Sequence, residues 1–216
     1  MRKRTAQLIF YLLYCLLAAV GFVLDFGFFT GNISTNPFVF YTSLSNMLCS
    51  GFMLAALIRR ILRRTGEPWH RCKFLFVIMI LVTAIVYNLL LNSYSSVAAY
   101  FANVKNALYH LILPVLFVLD WILYYKRGMV KPVYPLLAVG IPLVYVMYIL
   151  LRAVIVKSAG TAVAVLYPYF FLNVDKLGWA GFAMWMAILL AALLLLGYSL
   201  YGMDRLLAKT KSKTSR

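Results

Sequence analysis

Residues 74–94 have the sequence FLFVIMILVTAIVYNLLLNSY and contain no charged side chain. A helix needs about 20 apolar residues to cross the roughly 30 Å hydrocarbon core of a bilayer. This run is long enough, and five others resemble it in length and apolar character. The sequence therefore predicts an all-α membrane protein with six transmembrane helices, at about 6–29, 38–58, 74–94, 106–125, 133–156 and 178–203.

The composition supports this class. Of the 216 residues, 65% are hydrophobic and only 12% are charged, and the mean hydropathy is +0.91. So apolar a chain leaves almost nothing for a soluble domain. We expect residues 1–208 to form a single transmembrane domain and residues 209–216 to form a basic cytoplasmic tail.

Positive charge is distributed unevenly between the predicted helices. The chain has 21 Lys and Arg residues and a formal net charge of +16. With a cytoplasmic N-terminus, 17 of these 21 residues fall on the cytoplasmic side, in segments 2–4, 59–73, 126–131 and 205–216. The positive-inside rule therefore predicts that both termini are cytoplasmic. Basic clusters beside helix ends favour anionic phospholipid headgroups, and we do not expect nucleic-acid binding.

Metal and cofactor sites are not expected. The two histidines are predicted on opposite sides of the bilayer, so they cannot share an ion, and no Cys/His cluster has the spacing of a metal site. The motifs GxSxG and HExxH and the P-loop are also absent from the sequence. A hydroxyl and an imidazole remain as the chemically competent groups.

Polar side chains from four predicted helices share one depth. The stretch FYTSLSN (40–46) places Thr42 about 6 Å below the outer edge of the second helix, and His110 has a similar depth in the fourth. Polar groups in a membrane generally face the bundle interior, a partner or water. The pattern predicts a polar layer near the outer face. Three more residues approach the same edge from the first and third helices: Asp25, Asn88 and Asn92.

Helical spacing aligns some of these groups on single faces. Four side chains of the second helix follow the pattern i, i+3, i+4 and i+7: Thr42, Ser45, Asn46 and Cys49. Three residues of the fourth helix are successive i+4 neighbours: Asn106, His110 and Pro114. The two faces can meet, although spacing alone does not show that they do.

Charged residues in the predicted helices have more than one explanation. Asp25 either orients His110 or lies at the membrane interface. Arg152, near the outer end of the fifth helix, either extends to the interface or holds a lipid carboxylate. Asp120 lies near the cytoplasmic end of the fourth helix, where we expect it to pair with a basic residue.

The segment between the last two helices, 157–177, is unusually apolar for a loop. Its sequence, KSAGTAVAVLYPYFFLNVDKL, contains four aromatic residues between 167 and 171. Aromatic side chains of this kind favour the membrane interface. The segment is therefore either an anchor at the membrane surface or a lid over an outward-facing cavity.

Several motifs together resemble a known family. They are Thr42 with Ser45-Asn46, NALYHLILPVLFVLDW (106–121), PLVYVMY (142–148) and YPYFFLNVDKLGW (167–179). These stretches are similar to bacterial six-helix membrane proteins related to the androgen-induced integral membrane hydrolases. The resemblance implies a multi-pass protein of the bacterial cytoplasmic membrane, with its site near the outer face.

The eukaryotic branch of that family comprises threonine hydrolases that cleave fatty acid esters of hydroxy fatty acids. The resemblance places the threonine nucleophile at Thr42 and the histidine at His110. A Thr hydroxyl is a poor nucleophile until a base takes its proton, and imidazole suits that task near neutral pH. Asn46, Asn88 and Asn92 are candidate oxyanion donors. The expected partner is then a membrane lipid substrate, with no cofactor.

Two other classes remain open. The same polar layer can serve a protein that binds or transports a lipid or a small solute without catalysis. The third hypothesis is a structural or assembly factor. Neither class requires the hydroxyl of Thr42, so a Thr42→Ala variant separates them from a hydrolase. The sequence carries no indication of oligomeric state.

Overall fold

The computed structural model describes residues 2–31, 33–64 and 70–214, and within them the chain is helical with no strand. Two π-helices occur in this part of the chain, Tyr87–Leu91 and Leu108–Ile112. The α-helices are α1 (Arg2–Phe26), α2 (Tyr41–Ile61), α3 (His70–Val86), α4 (Val97–Ala102), α5 (Val104–Ala107), α6 (Leu113–Tyr124), α7 (Tyr134–Ser158) and α8 (Val174–Thr214).

Six helical stretches of the described chain are long and apolar enough to cross a membrane. The predicted all-α class is confirmed, and the six stretches match the predicted helices as candidate spans. One of them, the 104–124 helix, joins α5, the second π-helix and α6. The predicted limits differ from the observed ones by at most four residues, except at the end of the last helix. That helix continues past the predicted end at 203, through the start of the predicted tail, to Thr214.

The described chain forms two compact units, one up to Tyr125 and one from Lys126 onward. In the first unit α1 packs on α2, α2 on α3, and α3 on α6, while the 104–124 helix also contacts α1 and α2. Large apolar side chains fill its interior, among them Met53, Phe74, Phe117 and Trp121. The single domain predicted for residues 1–208 stays a prediction.

The first unit has two ends, which we name by one carboxylate each. At the Asp25 end lie the end of α1 and the starts of α2 and the 104–124 helix. At the Asp120 end, Asp120 forms an ion pair with Lys73, and both side chains are almost completely buried. The predicted pairing of Asp120 with a basic residue is therefore confirmed.

The second unit consists of α7, α8 and their connections. The buried carboxylate of Asp204 accepts hydrogen bonds from the backbone N–H groups of Gly128 (3.0 Å) and Val130 (3.3 Å). The guanidinium of Arg127 lies 3.8 Å from the same carboxylate. Asp204 therefore fixes the turn that precedes α7, in which Gly128 has a φ of +76°.

Candidate functional site

Two π-helices meet at the Asp25 end of the first unit. The first follows α3 and carries Tyr87 and Asn88, and the second carries His110. The imidazole of His110 stacks on the ring of Tyr87, with centroids 3.5 Å apart and an interplanar angle of 18°. π-Helices are rare and occur frequently at functional sites, since the extra residue re-aims side chains.

Pro114 leaves the carbonyl of His110 without its helical partner. In an α-helix this carbonyl would accept from the N–H of residue 114, but proline has none. Asn88 replaces it, because its Nδ2 donates to His110 O at 3.0 Å and to Ala84 O at 2.8 Å. Asn88 therefore joins α3 to the 104–124 helix at the level of the imidazole.

The π-helix frees a second carbonyl, that of Tyr109. The N–H of Leu113 bonds to Leu108 O, one residue farther back than in an α-helix. Asn46 of α2 donates to the vacated Tyr109 O at 3.1 Å and to Thr42 O at 2.8 Å. The polar face predicted on the second helix therefore contacts the fourth at the backbone of Tyr109, while its meeting with the predicted face of Asn106, His110 and Pro114 stays a prediction.

These bonds bear on the predicted oxyanion donors. An amide nitrogen carries two hydrogens, and both are donated to backbone carbonyls in Asn46 and in Asn88. Asn92 is exposed just after the first π-helix, where its Oδ1 accepts from the N–H of Tyr94. In this arrangement Asn46 and Asn88 act as positioning residues, and donation to an oxyanion would break one of their bonds.

The tautomer of His110 follows from its hydrogen bond. Nδ1 lies 3.1 Å from Asn106 O, and a carbonyl can only accept, so Nδ1 carries the proton. The lone pair of Nε2 is then available to accept a proton from a substrate or a nucleophile. No protein group in the described chain bonds to Nε2. This is the form that a general base requires.

Thr42 lies in the first turn of α2 and is half-buried. It shares a helical face with Ser45, whose hydroxyl lies 2.6 Å from that of Thr83 in α3, and with Asn46. That face is directed at α3 and the 104–124 helix. Asn46 bridges the backbone carbonyls of Thr42 and of Tyr109, the residue before His110.

Asp25 contacts Ser43 and Lys105 rather than His110. Its Oδ2 accepts from the hydroxyl of Ser43 at 2.7 Å, and its Oδ1 lies 3.4 Å from the ammonium of Lys105. The imidazole is oriented by the carbonyl of Asn106 instead. In this arrangement Asp25 does not orient the imidazole but ties α1 to α2 and α5, and its position at the membrane interface stays a prediction.

An open groove of about 450 Å³ runs between α3 and the 104–124 helix. Asn88 and His110 line it at the Asp25 end, and its remaining lining is apolar. Thr42 is not among the lining residues. The apolar wall includes Leu81, Ala84, Ile85, Val115, Val118 and Leu119.

Arg152 belongs to the second unit. Its Nη1 donates to the carbonyls of Val165 (2.9 Å) and Leu166 (3.1 Å), so the guanidinium holds the connection between α7 and α8. In the predicted anchor or lid, 157–177, Lys157 also pairs with Asp175 at 2.5 Å. The substrate-binding role of Arg152 and the role of this segment stay predictions.

Tyr87 and Asn106 were missed as site residues. Asn106 was recognisable by its spacing, one turn before His110, but the role of its carbonyl was not. The stacking of Tyr87 follows from the π-helix, which no sequence pattern indicated. No group of three or more His, Cys, Asp or Glu side chains able to hold a metal occurs among the described residues.

Comparison with known proteins identifies no relative. No protein-family model, curated protein or solved structure matches the chain. The resemblance to the androgen-induced integral membrane hydrolases therefore stays a prediction.

Proposed function

We propose that this protein is an intramembrane hydrolase that cleaves a lipid ester, with Thr42 as the nucleophile and His110 as the general base. One observation carries the proposal. The bond from Nδ1 to Asn106 O leaves Nε2 of His110 unprotonated, at one end of an apolar groove. A base at the end of an apolar groove suits a substrate that combines a reactive polar group with an acyl chain.

The chemistry proceeds in two steps. His110 Nε2 takes the hydroxyl proton of Thr42 as Oγ1 attacks the ester carbonyl carbon, and the tetrahedral intermediate collapses to an acyl-threonine. The imidazolium gives its proton to the departing alkoxide, which leaves as an alcohol. Water then attacks the acyl-threonine and loses a proton to Nε2, and Thr42 recovers this proton as the carboxylic acid leaves.

The groove offers room for one acyl chain. From His110 to Leu119 it follows ~13.5 Å of helix, about the length of ten extended methylene groups. A chain lying there would bring its carboxyl end to the level of His110. The proposal is supported on the α2 side by the Asn46 bridge, which ties the carbonyl of Thr42 to that of Tyr109, the residue before His110.

Turnover of purified variants tests the proposal. We expect the wild type in detergent to hydrolyse a fatty acid ester of a hydroxy fatty acid, and Thr42→Ala and His110→Gln to lose this activity while remaining folded. Thr83→Val is a matched control, because it removes a buried hydroxyl that contacts Ser45 and has no proposed role in catalysis. Equal rates in Thr42→Ala and the wild type contradict the proposal.

A second candidate is a non-catalytic protein that binds or transports a lipid. It is favoured by the apolar lining of the groove and by the absence of Thr42 from that lining. For such a protein, the wild type and the Thr42→Ala variant would bind a fluorescent fatty acid with equal affinity. It would show no ester turnover in either form, and this combination would establish the second candidate over the first.

A further inference from the structure

Asn106 is held firmly in the 104–124 helix, one turn before His110. Its backbone N–H donates to Asn103 Oδ1 at 3.0 Å, and its carbonyl accepts from His110 Nδ1 at 3.1 Å. Its side chain is buried, with 5% of the residue exposed. The backbone position of Asn106 is thus fixed on both sides, and the same residue sets the tautomer of the base.

The amide nitrogen of Asn106 is a donor without an acceptor. The phenol of Tyr87 interacts with the Asn106 side chain, but no acceptor meets Nδ2 at hydrogen-bonding geometry. Buried polar groups nearly always have a partner, so an exception calls for an explanation such as an absent ligand or a catalytic role. Asn46 and Asn88 differ in this respect, because their nitrogens donate to two carbonyls each.

Other unpartnered atoms nearby do not provide the same function. The buried Oδ1 of Asn46 can only accept a hydrogen bond, so it cannot stabilise negative charge. The hydroxyl of Tyr109 is also buried without a partner, but the Tyr109 ring packs against Gly21 and Phe22 of α1. The hydroxyl of Tyr100 is a further buried donor without a partner, but it lies on α4. The amide of Asn106 is the donor one helical turn from His110.

The Asn46 bridge brings the backbone of Thr42 close to the helix that carries Asn106. The same nitrogen reaches Thr42 O and Tyr109 O, so those two oxygens are at most about 5.9 Å apart. The α2 and 104–124 helices both begin at the Asp25 end and run in the same direction. Helical side chains lean toward the N-terminus, so the side chains of Thr42 and Asn106 both lean from the bridge toward the Asp25 end.

We propose that Nδ2 of Asn106 donates to the oxyanion of the tetrahedral intermediate formed on Thr42. This inference rests on the proposed hydrolase function. As Oγ1 attacks, the electron pair of the carbonyl π bond moves to the carbonyl oxygen, and the N–H of Asn106 stabilises the charge there. The pair returns when the C–O bond to the alcohol breaks. A preorganised donor of this kind acts chiefly on the transition state.

Two substitutions test this role. Asn106→Asp keeps the shape of the side chain and removes its N–H groups, and Asn106→Leu replaces the amide with an apolar group of similar volume. For each we expect kcat to fall by about 10²- to 10³-fold, with KM changed by less than about threefold. Asn103→Asp is the matched control, because its Oδ atoms can still accept from the N–H of Asn106.

Stability provides a second measurement. Since no acceptor meets Nδ2 at hydrogen-bonding geometry, the Asn106→Leu variant should unfold at or above the wild-type temperature while losing turnover. Lower stability together with a kcat within about threefold of wild type would show that Asn106 is structural and would overturn the inference. A wild type with no turnover at all would instead overturn the proposed function itself. Rates are normalised to monodisperse protein, so partial loss of folding does not imitate loss of catalysis.

Discussion

His110 shows how one residue is positioned by its neighbours. The carbonyl of Asn106 fixes the proton on Nδ1, the ring of Tyr87 fixes the plane of the imidazole, and Asn88 holds the His110 carbonyl. The sequence predicted the polar layer, because intramembrane polar groups seek the bundle interior. It did not predict these pairings, which depend on the helix rotation that the π-helix and Pro114 impose.

Gly21 provides a test of packing at the site. A Cβ on Gly21 would lie 2.5 Å from Cε1 of the buried ring of Tyr109. The backbone carbonyl of Tyr109 accepts a hydrogen bond from Asn46. We expect Gly21→Ala to lower the free energy of unfolding by ~1–3 kcal/mol through overpacking. Gly51→Ala is the control, since nothing lies within 4 Å of its Cβ and alanine favours the helix. Thermal unfolding in detergent measures both, and equal effects would contradict the close contact.

The buried ion pair of Lys73 and Asp120 makes a second prediction at this scale. Removing only one partner leaves an uncompensated charge, so Lys73→Met should cost about 3–5 kcal/mol of stability. The double variant Lys73→Met/Asp120→Leu should recover most of that loss. Unfolding of the two single variants and the double variant completes the cycle. A double variant as unstable as the sum of its parts would mean that the charges do not interact.

At the scale of elements, helix limits depended on features that hydropathy does not report. The predicted first helix ran to residue 29 because Phe28 and Phe29 are apolar, but α1 ends at Phe26, where Gly27 adopts a φ of +74°. The third predicted helix ran to 94. It ends at Leu91 because Asn92 has extended backbone and its side chain accepts from Tyr94 N. Apolar character predicts burial in the bilayer, whereas backbone conformation decides where a helix ends.

A pair of variants tests whether Asn88 replaces the backbone hydrogen bond that Pro114 cannot donate. Asn88→Ala leaves the carbonyl of His110 without a donor and should cost ~1 kcal/mol. In a Pro114→Ala background, the new N–H of residue 114 can bond to that carbonyl. We therefore expect Asn88→Ala to cost clearly less there. The same cost in both backgrounds would show that Asn88 does not replace the missing helical bond.

At the scale of the whole molecule, the sequence predicted the six spans because their apolar runs are long and separated by charge. It did not indicate that the chain divides after Tyr125. Spacing showed which residues of the polar layer share a helix face, but contacts between helices decided which of them touch. The orientation in the membrane follows from the basic residues and stays a prediction.

The native thiol of Cys72 can be labelled to determine that orientation. Its side chain is exposed at the Asp120 end, where it is the first residue of the third candidate span, whereas Cys15 and Cys49 lie in the interior of theirs. If the termini are cytoplasmic, a membrane-impermeant maleimide should label Cys72 in permeabilised cells and not in intact ones. Cys72→Ser should abolish the labelling. Exposed Ser93, changed to Cys in that background, should be labelled in intact cells. The reverse pattern would place the termini outside.

The central claim is that the hydroxyl of Thr42 is activated by His110, and covalent capture tests it most directly. The purified protein is treated with a fluorophosphonate, digested, and analysed by mass spectrometry to locate the adduct. We predict one adduct, on Thr42, which is lost in His110→Gln although that variant keeps the hydroxyl. An unmodified Thr42 in the wild type, or labelling that persists without the imidazole, would contradict the hydrolase mechanism.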